Sequence, residues 1–185
     1  MSISVLDLFK IGVGPSSSHT VGPMRAAHDF VAELQRRGLL DQVRRIEAKL
    51  YGSLSATGVG HGTDHAVVAG LMGARPDEVD PDFLVEAVDA VRLDASLPLP
   101  GGVMVPFDWA RDMRLLPVSL PYHPNAMRIA AHGDEGVLYQ NTYYSVGGGF
   151  VIDEAQAQSG ESAEAAVELP YPFDDGAQLL EQCRR

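Results

Sequence analysis

The sequence predicts an α+β fold, a largely antiparallel sheet with packed helices. Three observations point to it. Amphipathic helical stretches and alternating strands share one chain without regular βαβ alternation. From Pro98 onward the chain breaks into short strand-like pieces with turn residues between them. The 185 residues are 45% hydrophobic and 21% charged, a globular composition long enough to bury the core of one domain.

The elements follow in chain order. Met24, Ala27, Phe30, Val31 and Leu34 share one helical face. Pro23 suits the first turn of that helix, Arg36 and Arg37 its last, and Gly38 its stop. Residues 43–51, "VRRIEAKLY", alternate as a half-buried strand, with Ile46, Ala48 and Leu50 on one side and Arg45, Glu47 and Lys49 on the other. A second helix covers 64–72, with Val67, Gly70 and Leu71 inward. A third starts at Asp80 as N-cap with Pro81 behind it, and Leu84, Ala87, Val88 and Val91 form its stripe. "GGVMVPFDW", "MRLLPVSL", "AMRIAAHG" and "VLYQNTYYSVGGGFVID" are the strand-like pieces, and "HGDEG" (132–136) is a hairpin turn. Three glycines in "NTYYSVGGGFV" (141–151) fall in mid-strand and predict a bulge or a close backbone contact. Tyr143 and Tyr144 then point to opposite faces, at least one of them into the core. Residues 153–168 are small, polar and acidic and read as a flexible surface loop. "FDDGAQLLEQCRR" opens a capped helix with no stop.

A formal charge of −11 sets the chain against phosphate backbones, so nucleic-acid binding is not expected. No apolar run approaches the roughly 20 residues of a membrane span. "MSISVLDLFK" lacks a basic head and a long apolar stretch, so it does not read as a secretory signal, and a cytoplasmic protein is expected. The one cysteine, Cys183, forms no internal disulfide and holds no iron–sulfur cluster alone, since a cluster wants three or four thiolates.

The chemistry concentrates in three stretches. In "KIGVGPSSSHTVGPMRAA" (10–27), hydroxyls crowd the mouth of a helix. A helix N-terminus presents unpaired N–H groups and a partial positive charge, so it holds anions. Ser16, Ser17, Ser18 and Thr20 add uncharged donors suited to a carboxylate or phosphate. His19 beside that positive end tends toward neutral imidazole, which can act as a base. A single cap needs fewer hydroxyls than this. The lysine of a P-loop, the third glycine of a dinucleotide fingerprint and the G-x-S-x-G elbow are all missing. In "YGSLSATGVGHGTDHAVVAGLMG" (51–73), glycines cluster with Ser53, His61, Thr63, Asp64 and His65, and Thr63 or Asp64 can cap the second helix. His61 and His65 mimic a metal pair, but Gly60 and Gly62 set His61 ahead of the helix, and no metal site is assigned. In "PYHPNAMRIAAHG" (121–133), His123 and Asn125 offer donors and acceptors for a small polar ligand at a turn.

Together, "GPSSSHTVGPMRAA", "YGSLSATGVGHGTDHAVVAGL", "YHPNAMRI" and "YYSVGGGFVID" closely resemble the iron–sulfur-dependent L-serine dehydratases (L-serine ammonia-lyases). The match is to their β domain, the N-terminal part of single-chain members or the separate β subunit of two-chain ones. The resemblance implies a chain that helps deaminate L-serine to pyruvate and ammonia, with a [4Fe-4S] cluster whose cysteines lie in an α domain or subunit. Residues 1–170 would be the β domain and 171–185 the start of a linker or helix toward that cluster-binding part. It implies His19 or His61 as general base, with the other orienting substrate. Ser16, Ser17, Ser18, Thr20 and Thr63 would be substrate-binding groups. It further implies a likeness to the allosteric substrate-binding domain of phosphoglycerate dehydrogenases, with His123 and Asn125 holding a regulatory L-serine. The whole enzyme would be a homodimer in the cytoplasm, and this chain alone would be inactive. A purely regulatory amino-acid-binding module is the alternative.

Overall fold

The structure, a computed structural model, describes residues 11–159, 171, 173 and 175–184. The expectation about "MSISVLDLFK" and most of the expected loop at 153–168 lie outside the described residues.

A π-helical turn, Ser17–Val21, runs without a break into α1, Gly22–Arg36. Met24, Ala27, Phe30, Val31 and Leu34 all face the core, as their spacing predicts, and Gly38 follows the helix in a left-handed conformation. A short 3-10 turn at Leu40–Gln42 leads to β1, Arg45–Tyr51, where Ile46, Ala48 and Leu50 are fully buried. Two elements that the sequence did not announce follow, α2 at Gly52–Thr57 and a 3-10 turn at Val59–His61. α3, Thr63–Leu71, is buried on nearly every side, so it lacks the single stripe by which a surface helix is recognised. α4, Pro81–Asp94, is capped by Asp80, whose carboxylate accepts from the Asp82 N–H at 2.9 Å.

β2 (Ser96–Pro98) and β3 (Met104–Pro106) form a separate two-stranded ribbon. A single-turn α5 at Trp109–Asp112 feeds β4, Met113–Leu116. β5 (Asn125–Gly133) and β6 (Gly136–Gly147) make the hairpin expected at "HGDEG", with Gly133 opposite Gly136. β7, Phe150–Asp153, ends the sheet. The five strands lie in the order β4-β1-β5-β6-β7. Every neighbouring pair is antiparallel except β1 with β4, so the sheet is mixed but largely antiparallel. The parallel pair is the departure from expectation. It exists because the long excursion through α2–α5 returns the chain to the outer edge of β1 in the same direction.

The three glycines at 147–149 all have positive φ and make the β6–β7 turn rather than interrupting a strand. The predicted bulge does occur, just before them, between Ser145 and Gly147. Tyr143 packs into the main core and Tyr144 into a smaller cluster on the other face of the sheet, so both are buried. The described start of the expected acidic loop is helical, α6 at Glu154–Ser159. α7, Gly176–Cys183, is capped by Asp175.

The core lies between one sheet face and α1, with α3 packed on α1 and α4 on α3. Burying a side chain of the size of Phe30, Leu34, Ile129 or Met127 stabilises by about 1.5–3 kcal/mol. That core fixes the ends of α1, β1 and α3 against one another, and those ends carry the candidate chemistry.

Candidate active site

The hydroxyl-rich stretch is itself helical. Ser16, in an extended conformation, is the cap, and its hydroxyl accepts from the His19 N–H at 3.1 Å. The Ser16 carbonyl accepts from both the Thr20 and the Val21 N–H groups, at 3.0 and 3.1 Å. This wider π register is rare, occurs mostly as single turns, and is frequent at functional sites. Ser17 is exposed, and Ser16 and Ser18 are half-buried at the same surface.

Both ring nitrogens of His19 are engaged. Nδ1 lies 2.9 Å from the Ser18 hydroxyl and Nε2 lies 2.9 Å from the Ser53 hydroxyl. A hydroxyl gives or takes a proton, so either neutral tautomer satisfies both bonds. Burial and the neighbouring His61 lower the His19 pKa, against a smaller raising contribution from Ser53. His19 is therefore held neutral and fixed in place.

His61 lies beside it, with ring centroids 5.1 Å apart and planes tilted by 39°. Its Nδ1 is 2.8 Å from the Thr57 carbonyl. A carbonyl only accepts, so Nδ1 carries the proton and the lone pair sits on Nε2. The two histidines thus differ in kind: one is clamped at both nitrogens, the other is oriented through one.

Two threonines tie the segments together. Thr20 Oγ1 donates to the His61 carbonyl at 2.9 Å, and Thr63 Oγ1 donates to the His19 carbonyl at 2.5 Å. Both side chains are buried, at 4% and 0% exposure, and their hydroxyls face the opposite segment. Thr63 and Asp64 do not cap α3. Gly62, in a left-handed conformation, holds the cap position without a side-chain bond, and Thr63 is taken by His19 instead. Asp64 is bonded to His65 at 3.1 Å, and the His65 ring meets the edge of Trp109 at 5.7 Å. His61 and His65 therefore serve different surroundings. Among the described residues no group of three His, Cys, Asp or Glu is placed to hold a metal.

Ser53 is the residue of this candidate site that the motif reading passed over as one hydroxyl among many. It is the second residue of α2, and its bond to His19 spans 34 residues, a separation that no local pattern encodes. The third stretch comes to the same place. The Ser53 N–H donates to the Pro124 carbonyl at 3.0 Å. Within the turn, the Asn125 N–H donates to His123 Nδ1 at 3.0 Å, and the Asn125 side-chain amide donates to the Ser145 carbonyl at 3.3 Å. Burial lowers the His123 pKa, in keeping with an accepting Nδ1.

The comparisons with known proteins bear on the same stretches. The family model described as serine dehydratase beta chain matches residues 4–156. L-serine dehydratase 1 of Escherichia coli strain K12 is 45% identical over 185 residues, 98% of this chain and 40% of that protein. The L-serine dehydratase of Streptomyces coelicolor is 46% identical over 186 residues, covering 100% of this chain and 41% of the relative. That of Helicobacter pylori is 39% identical over 185 residues, covering 100% and 40%. The chain thus spans about 40% of the length of the curated relatives it matches. With the fold, the paired histidine segments and this match together, the chain belongs to the serine dehydratase beta chain family.

Proposed function

We propose that this chain is the β part of an L-serine dehydratase, which converts L-serine to pyruvate and ammonia, and that the 16–20 and 61–63 segments form one wall of its active site. The observation that carries the reading is the pairing of His61, with its lone pair on Nε2, and a neutral His19 fixed beside it. In this account His61 Nε2 takes the α-proton of serine. His19 stays neutral, so it does not repel the proton that His61 acquires 5.1 Å away. The Ser17 and Ser18 hydroxyls and the N–H groups at the head of the π turn receive the serine carboxylate, and Ser16 caps that turn. Thr20 and Thr63 act from beneath, holding the two segments in register. Loss of the α-proton and the β-hydroxyl leaves aminoacrylate, which tautomerises to the imine and takes up water to give pyruvate and ammonia.

The residues of this chain do not fit a [4Fe-4S] cluster. The sequence has one cysteine, Cys183, which is exposed, and the described residues hold no metal-ligating group of three. A cluster therefore belongs to an α domain or subunit, and so does whatever assists departure of the β-hydroxyl. His123 and Asn125 form a regulatory L-serine site, on a domain similar to the allosteric substrate-binding domain of phosphoglycerate dehydrogenases. The whole enzyme is a cytoplasmic homodimer. No helix among the described residues is long and apolar enough to cross a membrane.

The test is assembly. The cluster-bearing part is reconstituted anaerobically, with and without this chain, and pyruvate is measured from L-serine. Pyruvate is expected only when both are present. Full turnover by the cluster-bearing part alone would reduce this chain to a purely regulatory amino-acid-binding module.

A further inference from the structure

We infer that Ser53 is a positioning residue that joins the His123–Asn125 turn to His19, so that a change in the turn is felt at the histidine pair through one side chain. The inference rests on the proposed reading of His19 as part of the active site and of the turn as a ligand site.

The connection consists of bonds between named atoms. Ser53 is held at both ends: its main-chain N–H donates to the Pro124 carbonyl at 3.0 Å, and its hydroxyl lies 2.9 Å from His19 Nε2. The preceding residue tightens the joint. The Gly52 N–H donates to the Val118 carbonyl at 2.9 Å, and Gly52 and Asn125 form an antiparallel bridge. Gly52 has φ +52, and a Cβ there would stand 2.4 Å from the Pro124 carbonyl oxygen, so the turn rests directly on backbone with no side chain between. On the other side, His123 Nδ1 accepts the Asn125 N–H, which sets the shape of the turn that carries Pro124. A ligand that engages His123 or Asn125 competes for these bonds and shifts the Pro124 carbonyl. Ser53 follows through its N–H, and the hydrogen bond at His19 Nε2 lengthens or turns. Coupling of this kind travels through contiguous packed and bonded groups. His19 has a second bond, at Nδ1 to Ser18, so its ring stays in place while the balance between its tautomers changes.

The test reads the ring nitrogens of His19 in this chain labelled with 15N-histidine. His123→Ala is made alone and together with Ser53→Ala, giving a double-mutant cycle. The inference predicts that His123→Ala moves the His19 Nε2 and Nδ1 resonances, and that the same substitution leaves them still once Ser53 is alanine. Ser53→Thr, which keeps the hydroxyl, restores the response. Unchanged ring resonances of His28 and His65 report that the fold is intact. If the alanine chain does not fold, Ser53→Cys, with its weaker donor, replaces it, and a reduced His19 response is expected. An equal His19 response with and without the Ser53 hydroxyl, or no response to His123→Ala in the first place, overturns the inference. L-serine titration forms a separate arm. A shift of the His123 resonances supports the regulatory site. Its absence contradicts that reading while the mutant cycle still decides the role of Ser53.

Discussion

The Thr63 hydroxyl donates to the main-chain carbonyl of His19 at 2.5 Å, while Thr20, next to His19, donates to the carbonyl of His61. Each histidine segment is thus held by a threonine of the other. Thr63→Val keeps the volume but removes the buried Thr63 hydroxyl that donates to the partly buried His19 carbonyl, a loss of about 1–3 kcal/mol. Thr20→Val should behave alike. Because both bonds brace one pair of segments, the double variant should depart from additivity by about 0.5–3 kcal/mol. Urea unfolding of the three variants measures this, and strict additivity would show that the two bonds act independently.

Asp112 is fully buried at the junction of α5 and β4. It receives Arg45 at 2.7 Å, Arg111 at 2.8 Å and the Asp108 N–H at 2.9 Å. Burial pushes its carboxyl up, but the two guanidinium groups and the Asp108 N–H outweigh burial and hold it below the usual value. Asp112→Ala removes the shared partner of Arg45 and Arg111 and leaves the Asp108 N–H without its acceptor, while Arg45 keeps Glu47 at 3.6 Å, and it should cost about 1–3 kcal/mol in urea unfolding. In the wild-type chain the contribution is present above the ordinary aspartate pKa and is lost as pH falls through the lower folded value.

Gly70 is where α3 meets α1. A Cβ on it would stand 2.3 Å from the Met24 carbonyl and 2.8 Å from the Ala27 Cβ. Gly70→Ala should therefore destabilise by about 1–3 kcal/mol through overpacking, although alanine favours helix. It should also push apart the helices that carry Thr63 and Thr20. A thermal melt checks the first effect, and a gain in stability would contradict it.

His65 gives a pH dependence of opposite sign to Asp112. Its bond to Asp64 raises its pKa above 6.5, against burial, and Asp64 is correspondingly lowered despite its own burial. The protonated pair stabilises the fold fully below pH 6.5, and that contribution fades as pH rises through the higher folded pKa. The wild-type minus His65→Gln difference in urea midpoint should shrink from pH 6 toward alkaline pH. A difference that grows with pH would reverse the assignment.

What the sequence disclosed divides along physical lines. α1 and β1 were legible because a helix or strand buried on one face writes its period into the chain, as Met24–Leu34 and Ile46–Leu50 do. α3 was legible only in part, because it is buried on nearly all sides and its cap is a glycine. The parallel partner of β1 was not legible, since short apolar "MRLL" carries no direction. At the candidate site, residue types singled out stretches that the fold brings together. The different bonding of the His19 and His61 segments depends on Ser53, Thr57, Thr20 and Thr63. The cross-segment contacts among these are set by the packing of α1, β1 and α3, not by local spacing.

The central claim is that His61, not His19, takes the proton from serine. The direct test is the rate of pyruvate formation by the assembled, cluster-loaded protein carrying His61→Ala or His19→Ala, read as kcat and KM separately. The account predicts a fall in kcat of about 10²–10⁴-fold for His61→Ala, and a smaller loss for His19→Ala that falls partly on KM. An unchanged kcat in His61→Ala, with the large loss moved to His19→Ala, would contradict it.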